Sequence, residues 1–447
     1  MSIFLNKSLD EISSLLKKNE LKYVDLFKGV EGAINEHENR VHSFTTMNLD
    51  RYSTLCNSLD ESGAIQNNVL HGMPVGVKDI FNTKDFPTQM GSEIWKDFSP
   101  GNNARCVESL INKGSIVLGK TVTAEFAVHE LNETKNPHNL EHTPGTSSSG
   151  SAAAVACGIV PYALATQTAG SISRPSSFCG VWGMKPSFGL IPRTGVLKTT
   201  DSLDTVGFVS THGENLVHIL NALRVSGPDY PFVYKNIDCR VRDNEKIKIG
   251  YIKTYTWDSA EEYVKNDIKN IIKEIEEIEK IQIEEIILPE KFNRAHEVHE
   301  KIYNKSLAYY FQQESKLGSK ISAVMKKMID DGNKITLDQY VEALTNQENL
   351  AGDLSKIVLK DYDMVITIGT ASAAPKRNIT ELPDPSLIWT LCHIPTISIP
   401  LGRDGQNLPF GIQVIGKRWG DYQLLELVKK YINAGILKKG SMPILSK

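Results

Sequence analysis

Three polar residues sit in apolar or small-residue surroundings: Lys78 in HGMPVGVKDI, Ser147 in PGTSSSG and Ser171 in TAGSIS. A serine hydroxyl is a weak nucleophile near neutral pH and needs a base. A lysine can be that base only when neutral, and burial among the apolar residues of a strand favours the neutral form. A lysine does not orient a hydroxyl as a ring nitrogen does, so a second serine between base and nucleophile would relay the proton. The residues around Ser171 are small, which leaves the amides of Thr168, Ala169, Gly170 and Ser171 approachable as an oxyanion hole. Each residue alone has an ordinary reading. Lys78 beside Asp79 looks like a surface ion pair, and a serine run looks like a cap or turn. Only their joint occurrence argues for chemistry.

Several elements must hold these residues. Residues 71–80 form a short apolar run opened by Gly72 and Pro74, which suits a buried strand. Cys106–Leu110 suits a helix and Ser115–Leu118 a strand, an alternation that signals an α/β architecture. The Gly, Ser, Ala and Thr-rich stretch 136–177 contains AAAVACGIVPYALA, which packs and is no linker. Residues 8–55 read as helices, with Ser8 and Glu11 as a capping box. Ile268, Ile271, Ile272, Ile275 and Ile278 mark an amphipathic helix, Ile281–Leu288 a strand, and 290–350 further helices. Residues 220–350 carry no catalytic motif and are expected to form a variable peripheral layer over the site. Strands resume at Asp363–Ile368, Thr396–Leu401 and Gly411–Ile415.

The bulk numbers limit the function classes. The chain has 447 residues, 40% hydrophobic and 23% charged, an ordinary globular composition. Cores stop growing near about 250–300 residues, so length alone suggests two or three domains. A formal charge of −3, from 50 Lys+Arg against 53 Asp+Glu, favours no nucleic-acid or membrane-surface partner. Cys56, Cys106, Cys157, Cys179, Cys239 and Cys392 are scattered and form no CxxC pair, as expected of buried, reduced thiols in a cytoplasmic protein. The N-terminus lacks the apolar core of a signal peptide, and no apolar run reaches the ~18 residues of a membrane span.

The segment PGTSSSGSAAAVACGIVPYALATQTAGSISRPSSFCGVWGMKP (144–186) resembles the amidase signature family. So do GMPVGVKDIFNT, GKTVTAEF and NPHN upstream, and SLDTVGF and LPFGIQVIGKRWGDYQLL downstream. The resemblance covers most of 71–210 and about 360–430. It implies Ser171 as nucleophile, Ser147 as a bridging serine on a cis peptide and Lys78 as base, with Ser147 and Ser171 24 residues apart as in the family. The implied fold is α/β: residues 1–447 as a single amidase domain, with one large mixed β-sheet covered by helices on both faces. That displaces the division suggested by length. The implied activity is hydrolysis of a carboxamide through an acyl-enzyme, with no cofactor and no metal. The expected partner is a small-molecule amide; a homodimer is left open.

Departures from the family pattern narrow the reading. Gln167 stands where many members have Asp, and Ser173 where they have Arg; arginine follows one position later, at Arg174. Losing both charges leaves neither unpaired. The arrangement TQT…GS-x-x-RP resembles the malonamidase-like, small-amide branch. It implies that Arg174, with Ser148 and Gln167, binds substrate, Arg174 reading an acidic or polar group. The alternative is that Arg174 braces the loop. Thr146 replaces a usual glycine, which is awkward if that position needs a positive φ. A Ser–His–Asp triad built on His129, His138 or His142 lacks a G-x-S-x-G elbow. The competing function is the glutaminase subunit of a tRNA-dependent amidotransferase.

Overall fold

The computed structural model describes residues 2–63, 68–225, 247–278 and 280–445. Cys239 lies outside them; the other five cysteines are buried and free. The strands are β1 (Phe44–Met47), β2 (Pro74–Lys78), β3 (Ile116–Thr121), β4 (Tyr162–Gln167), β5 (Trp182–Lys185), β6 (Thr205–Ser210), β7 (Ile247–Ile252), β8 (Ile281–Ile286), β9 (Met364–Ile368), β10 (Thr396–Arg403) and β11 (Pro409–Ile415). They form one 11-stranded sheet in the order β1-β3-β2-β4-β6-β5-β10-β11-β9-β7-β8. The sheet is mixed: β2 runs parallel to β3 and β4, and β7 parallel to β8 and β9, while the centre from β4 to β9 is antiparallel. This is the α/β fold with a large mixed sheet that the sequence predicts.

Burial explains why the central strands read as they do. Every residue of β2 (PVGVK) and β4 (YALATQ) is buried. A strand covered on both faces loses polar alternation and becomes a continuous run of apolar and small residues. The helix Ser149–Ala156 packs against these strands and is buried on all sides. Its Ala, Gly and Ser content allows that approach: a Cβ on Gly150 would stand 2.3 Å from the Ser43 carbonyl oxygen and 2.4 Å from the Val122 nitrogen.

Two expectations change. Residues 8–55 are not all helical. The helix Tyr23–Val41 stops at His42, whose φ of 54° is left-handed, and Phe44–Met47 then pairs with β3 at the edge of the sheet. The two threonines of this strand are β-branched and suit it. The isoleucine-spaced helix spans Glu262–Glu276 and buries Val264, Ile268, Ile271 and Ile275, so Ile278 falls past its end. The helices Ala295–Tyr310, Ala323–Lys334 and Leu337–Asp353 make up the outer layer. Among the described residues no helix is long and apolar enough to cross a membrane.

Candidate active site

Parallel pairing of β2 with β4 sets Val77 opposite Leu164, so both strands end on the same side of the sheet. Lys78 is the last residue of β2 and Gln167 the last of β4. The turn after β4 carries Ser171, and the turn before the Ser149–Ala156 helix carries Ser147 and Ser148. Ligand sites of α/β sheets commonly lie beyond such carboxyl ends.

Asp79 does not pair with Lys78: it forms a buried ion pair with Lys120, Oδ1 to Nζ at 3.0 Å. The surface-pair reading of Lys78–Asp79 is therefore overturned. Lys78 itself is fully buried and has three hydroxyl neighbours: Ser147 Oγ at 2.8 Å, Ser148 Oγ at 3.0 Å and Thr166 Oγ1 at 2.9 Å. Burial pushes its pKa well below the ordinary 10.5, opposed only by the more distant Asp204 carboxylate. A charged lysine would donate to all three oxygens. A neutral one donates to two and accepts a proton from the third, which makes it a base.

The bridging position has the predicted backbone. The Thr146–Ser147 peptide is cis, and the Ser147 carbonyl accepts from the Ala124 amide at 3.2 Å. The left-handed φ of this turn falls on Gly145, at 85°, and not on Thr146. The awkwardness expected of threonine therefore does not arise. Asn136, in the NPHN segment, holds the approach to the turn by donating to the carbonyls of Thr143 and Phe178.

Around Ser171, each carbonyl of the preceding turn is anchored. His299 Nε2 donates to Thr168 O at 2.8 Å, Thr390 Oγ1 to Ala169 O at 2.6 Å, and the Arg174 amide to Gly170 O at 2.9 Å. A trans peptide is planar, with N–H opposite C=O, so fixing these oxygens fixes the amides of Ala169, Gly170 and Ser171. Among the described residues those three amides and the Ser171 hydroxyl have no partner. The Thr168 side chain donates to Asp204 Oδ1 at 2.9 Å, and the same carboxylate accepts from the amides and hydroxyls of Thr199 and Thr200.

The three residues expected to bind substrate do other work. Gln167 is completely buried. Its Oε1 accepts from the amides of Ile172 and Ser173, both at 2.9 Å, and its Nε2 donates to Thr390. It caps the first turn of the Ser173–Cys179 helix, whose N–H groups have no partner within the helix. Ser148 accepts from Lys78 and donates to the Thr166 carbonyl at 3.2 Å. It orients the lysine and does not face the cavity. Arg174 lines the cavity, but its guanidinium pairs with Glu381 and Asp384. Two carboxylates already neutralise its charge, one through each terminal nitrogen, which favours the loop-bracing alternative over Arg174 as a receptor for a substrate carboxylate. It holds the 381–384 segment against the nucleophile turn, where the Asp384 carboxylate lies so close that a Cβ on Gly170 would stand 1.7 Å from Oδ2.

A cavity of about 630 Å³ opens above Thr146 and Ala169, the neighbours of the two serine turns. One wall comes from His296, His299, Tyr303 and Met328 of the outer helices, and another from Arg377 and Ile379. The outer helices thus wall a cavity that reaches the neighbours of Ser147 and Ser171. Sequence reasoning missed Thr166, His299, Thr390, Glu381 and Asp384. Thr166 stood within the quoted TQT run; nothing in the sequence singled out the others. Among the described residues no three His, Cys, Asp or Glu side chains gather as a metal site.

A family model described as Amidase matches residues 30–425. The chain belongs to the amidase family. It is an amidohydrolase, acting on carboxamide C–N bonds. A Glutamyl-tRNA(Gln) amidotransferase subunit from Halothermothrix orenii is 30% identical over 465 residues, covering 94% of this chain and 95% of the relative. The protein of the same name from Geobacillus kaustophilus is 30% identical over 481 residues, with 94% and 95% covered. In fold, the amidase resembles the peptide amidase of Stenotrophomonas maltophilia, with a TM-score of 0.83, 20% identity and 98% of both chains covered. It also resembles the Glutamyl-tRNA(Gln) amidotransferase subunit of Thermotoga maritima, with a TM-score of 0.79, 22% identity and 99% of both chains covered.

Proposed function

We propose that this amidase cleaves its substrate through an acyl-enzyme on Ser171. Neutral Lys78 accepts the Ser147 proton while Ser147 takes the proton of Ser171, and the Ser171 oxygen attacks the carboxamide carbon. The amides of Ala169, Gly170 and Ser171 receive the oxyanion. Collapse of the tetrahedral intermediate returns a proton through Ser147 to the leaving nitrogen, releasing ammonia or an amine. Water then attacks the ester by the same relay in reverse, giving the carboxylic acid. The observation that carries this reading is the buried Lys78 amine, 2.8 Å from Ser147 and, among the described residues, without a carboxylate in hydrogen-bond reach.

The substrate is a carboxamide taken by the isolated chain. The small-amide, malonamidase-like placement rests on TQT…GS-x-x-RP, while the cavity of about 630 Å³ has room for a larger acyl or amine part. The second reading is an ammonia-producing component of an amidotransferase, favoured by the names of the relatives from Halothermothrix and Geobacillus. Ammonia release by the purified chain from a panel of amides, glutamine included, separates the two. Turnover of simple amides by the chain alone supports the first reading. Inactivity on every amide until a partner protein is added supports the second.

A further inference from the structure

We propose that His299 is a positioning residue for this reaction: its Nε2–H holds the Thr168 carbonyl and so aims the Ala169 N–H at the developing oxyanion. The inference rests on the assignment of Ser171 as nucleophile. It starts from a residue of the outer helix Ala295–Tyr310, in the layer that carries no catalytic motif. His299 is buried, with its ring edge-on to Tyr303 at 5.7 Å between centroids. A carbonyl oxygen can only accept, so the 2.8 Å contact with Thr168 places the imidazole proton on Nε2. Burial pushes its pKa down to about 4, against the opposing pull of the Thr168 hydrogen bond, which favours the neutral ring near pH 7.

The Thr168–Ala169 peptide is planar, so its N–H points away from the anchored oxygen. The neighbouring planes have their own anchors, the Thr390 hydroxyl on Ala169 O and the Arg174 amide on Gly170 O. Of the three, the first alone depends on the outer layer. Asp204 holds the Thr168 side chain but leaves the rotation of its carbonyl unset. Without His299 that carbonyl is free to turn towards the cavity, carrying the Ala169 N–H out of register and placing a partial negative charge near the oxyanion.

The test compares His299→Phe, His299→Gln and His299→Asn in the full chain. A glutamine Nε2 reaches about as far as the imidazole Nε2; an asparagine amide falls short. Turnover of a good amide, thermal stability, and inhibition by an aldehyde analogue that forms a tetrahedral adduct are measured for each. The Phe variant is expected to lose ~10²-fold in kcat, the scale of a lost oxyanion donor, with KM within about threefold. Its affinity for the aldehyde should fall in parallel. The Gln variant should recover kcat to within about tenfold of wild type and exceed the Asn variant by at least about tenfold. If Phe fails to fold, the Gln–Asn contrast decides. Wild-type kcat in the Phe variant, or equal kcat in the Gln and Asn variants, overturns the role of His299. Full activity of Ser171→Ala overturns the nucleophile assignment instead.

Discussion

The ends of β2 and β4 and the outer layer of residues 262–353 are built on opposite plans. At the strand ends every side chain is buried, the residues are small or hydroxylated, and polar groups satisfy one another over short distances. The outer helix Glu262–Glu276 buries one stripe, Val264, Ile268, Ile271 and Ile275, and faces solvent with lysine and glutamate. The difference shows where each property resides. The sheet sets a lysine's protonation state and a turn's amides; the layer sets how large a substrate can approach. His299 and the Arg174–Glu381–Asp384 cluster are where the outer parts reach the inner machinery.

That division can be broken most sharply at the strand ends. Ser171→Ala should lower turnover by ~10⁶-fold, the scale of losing a serine nucleophile, measured as ammonia release. Lys78→Met should cost about 10³–10⁴-fold in kcat, at the upper end of general-base contributions. In the wild-type enzyme Lys78 must be neutral, so activity should rise with pH through its folded pKa and level off well below pH 10.5. A rise centred near 10.5 would mean that burial does not depress this lysine.

Intermediate effects are expected where the outer parts touch the centre. Arg174→Met leaves the carboxylates of Glu381 and Asp384 without their cation, at a cost of about 3–5 kcal/mol in stability by denaturant unfolding. The loss in kcat/KM should be equal for neutral and acidic amides; a selective loss for acidic ones would restore Arg174 as a substrate reader. Within the layer itself the effect should be small. Met328→Ala, in the cavity wall, should change kcat/KM for a compact amide by less than about threefold, within the range of substitutions away from the chemistry, and change KM chiefly for bulky ones.

The sequence made the chemistry legible but not its support. Lys78, Ser147 and Ser171 lie in local motifs, and the strands that present them read as unbroken apolar runs. Their supports come from far along the chain: Thr390 meets Ala169 from 221 residues away, His299 meets Thr168 from 131, and Glu381 meets Arg174 from 207. Such pairings are decided by the order of strands in the sheet, which local spacing does not encode. The same gap explains the misreadings. The resemblance implied Gln167 and Ser148 as substrate contacts; in the fold one caps a helix and the other hydrogen-bonds a lysine. Short β1 was hidden inside a helical stretch because four edge residues show no clear periodicity.

The central claim is a covalent relay in which Lys78 activates Ser171 through Ser147. Rapid quenching of the enzyme during turnover, followed by peptide mass spectrometry, tests it most directly. An acyl group on Ser171, forming at least about 10³-fold more slowly in Lys78→Met, is the predicted result. Acylation of Ser147 or another residue instead, or of Ser171 at an undiminished rate in the Lys78→Met enzyme, would contradict it.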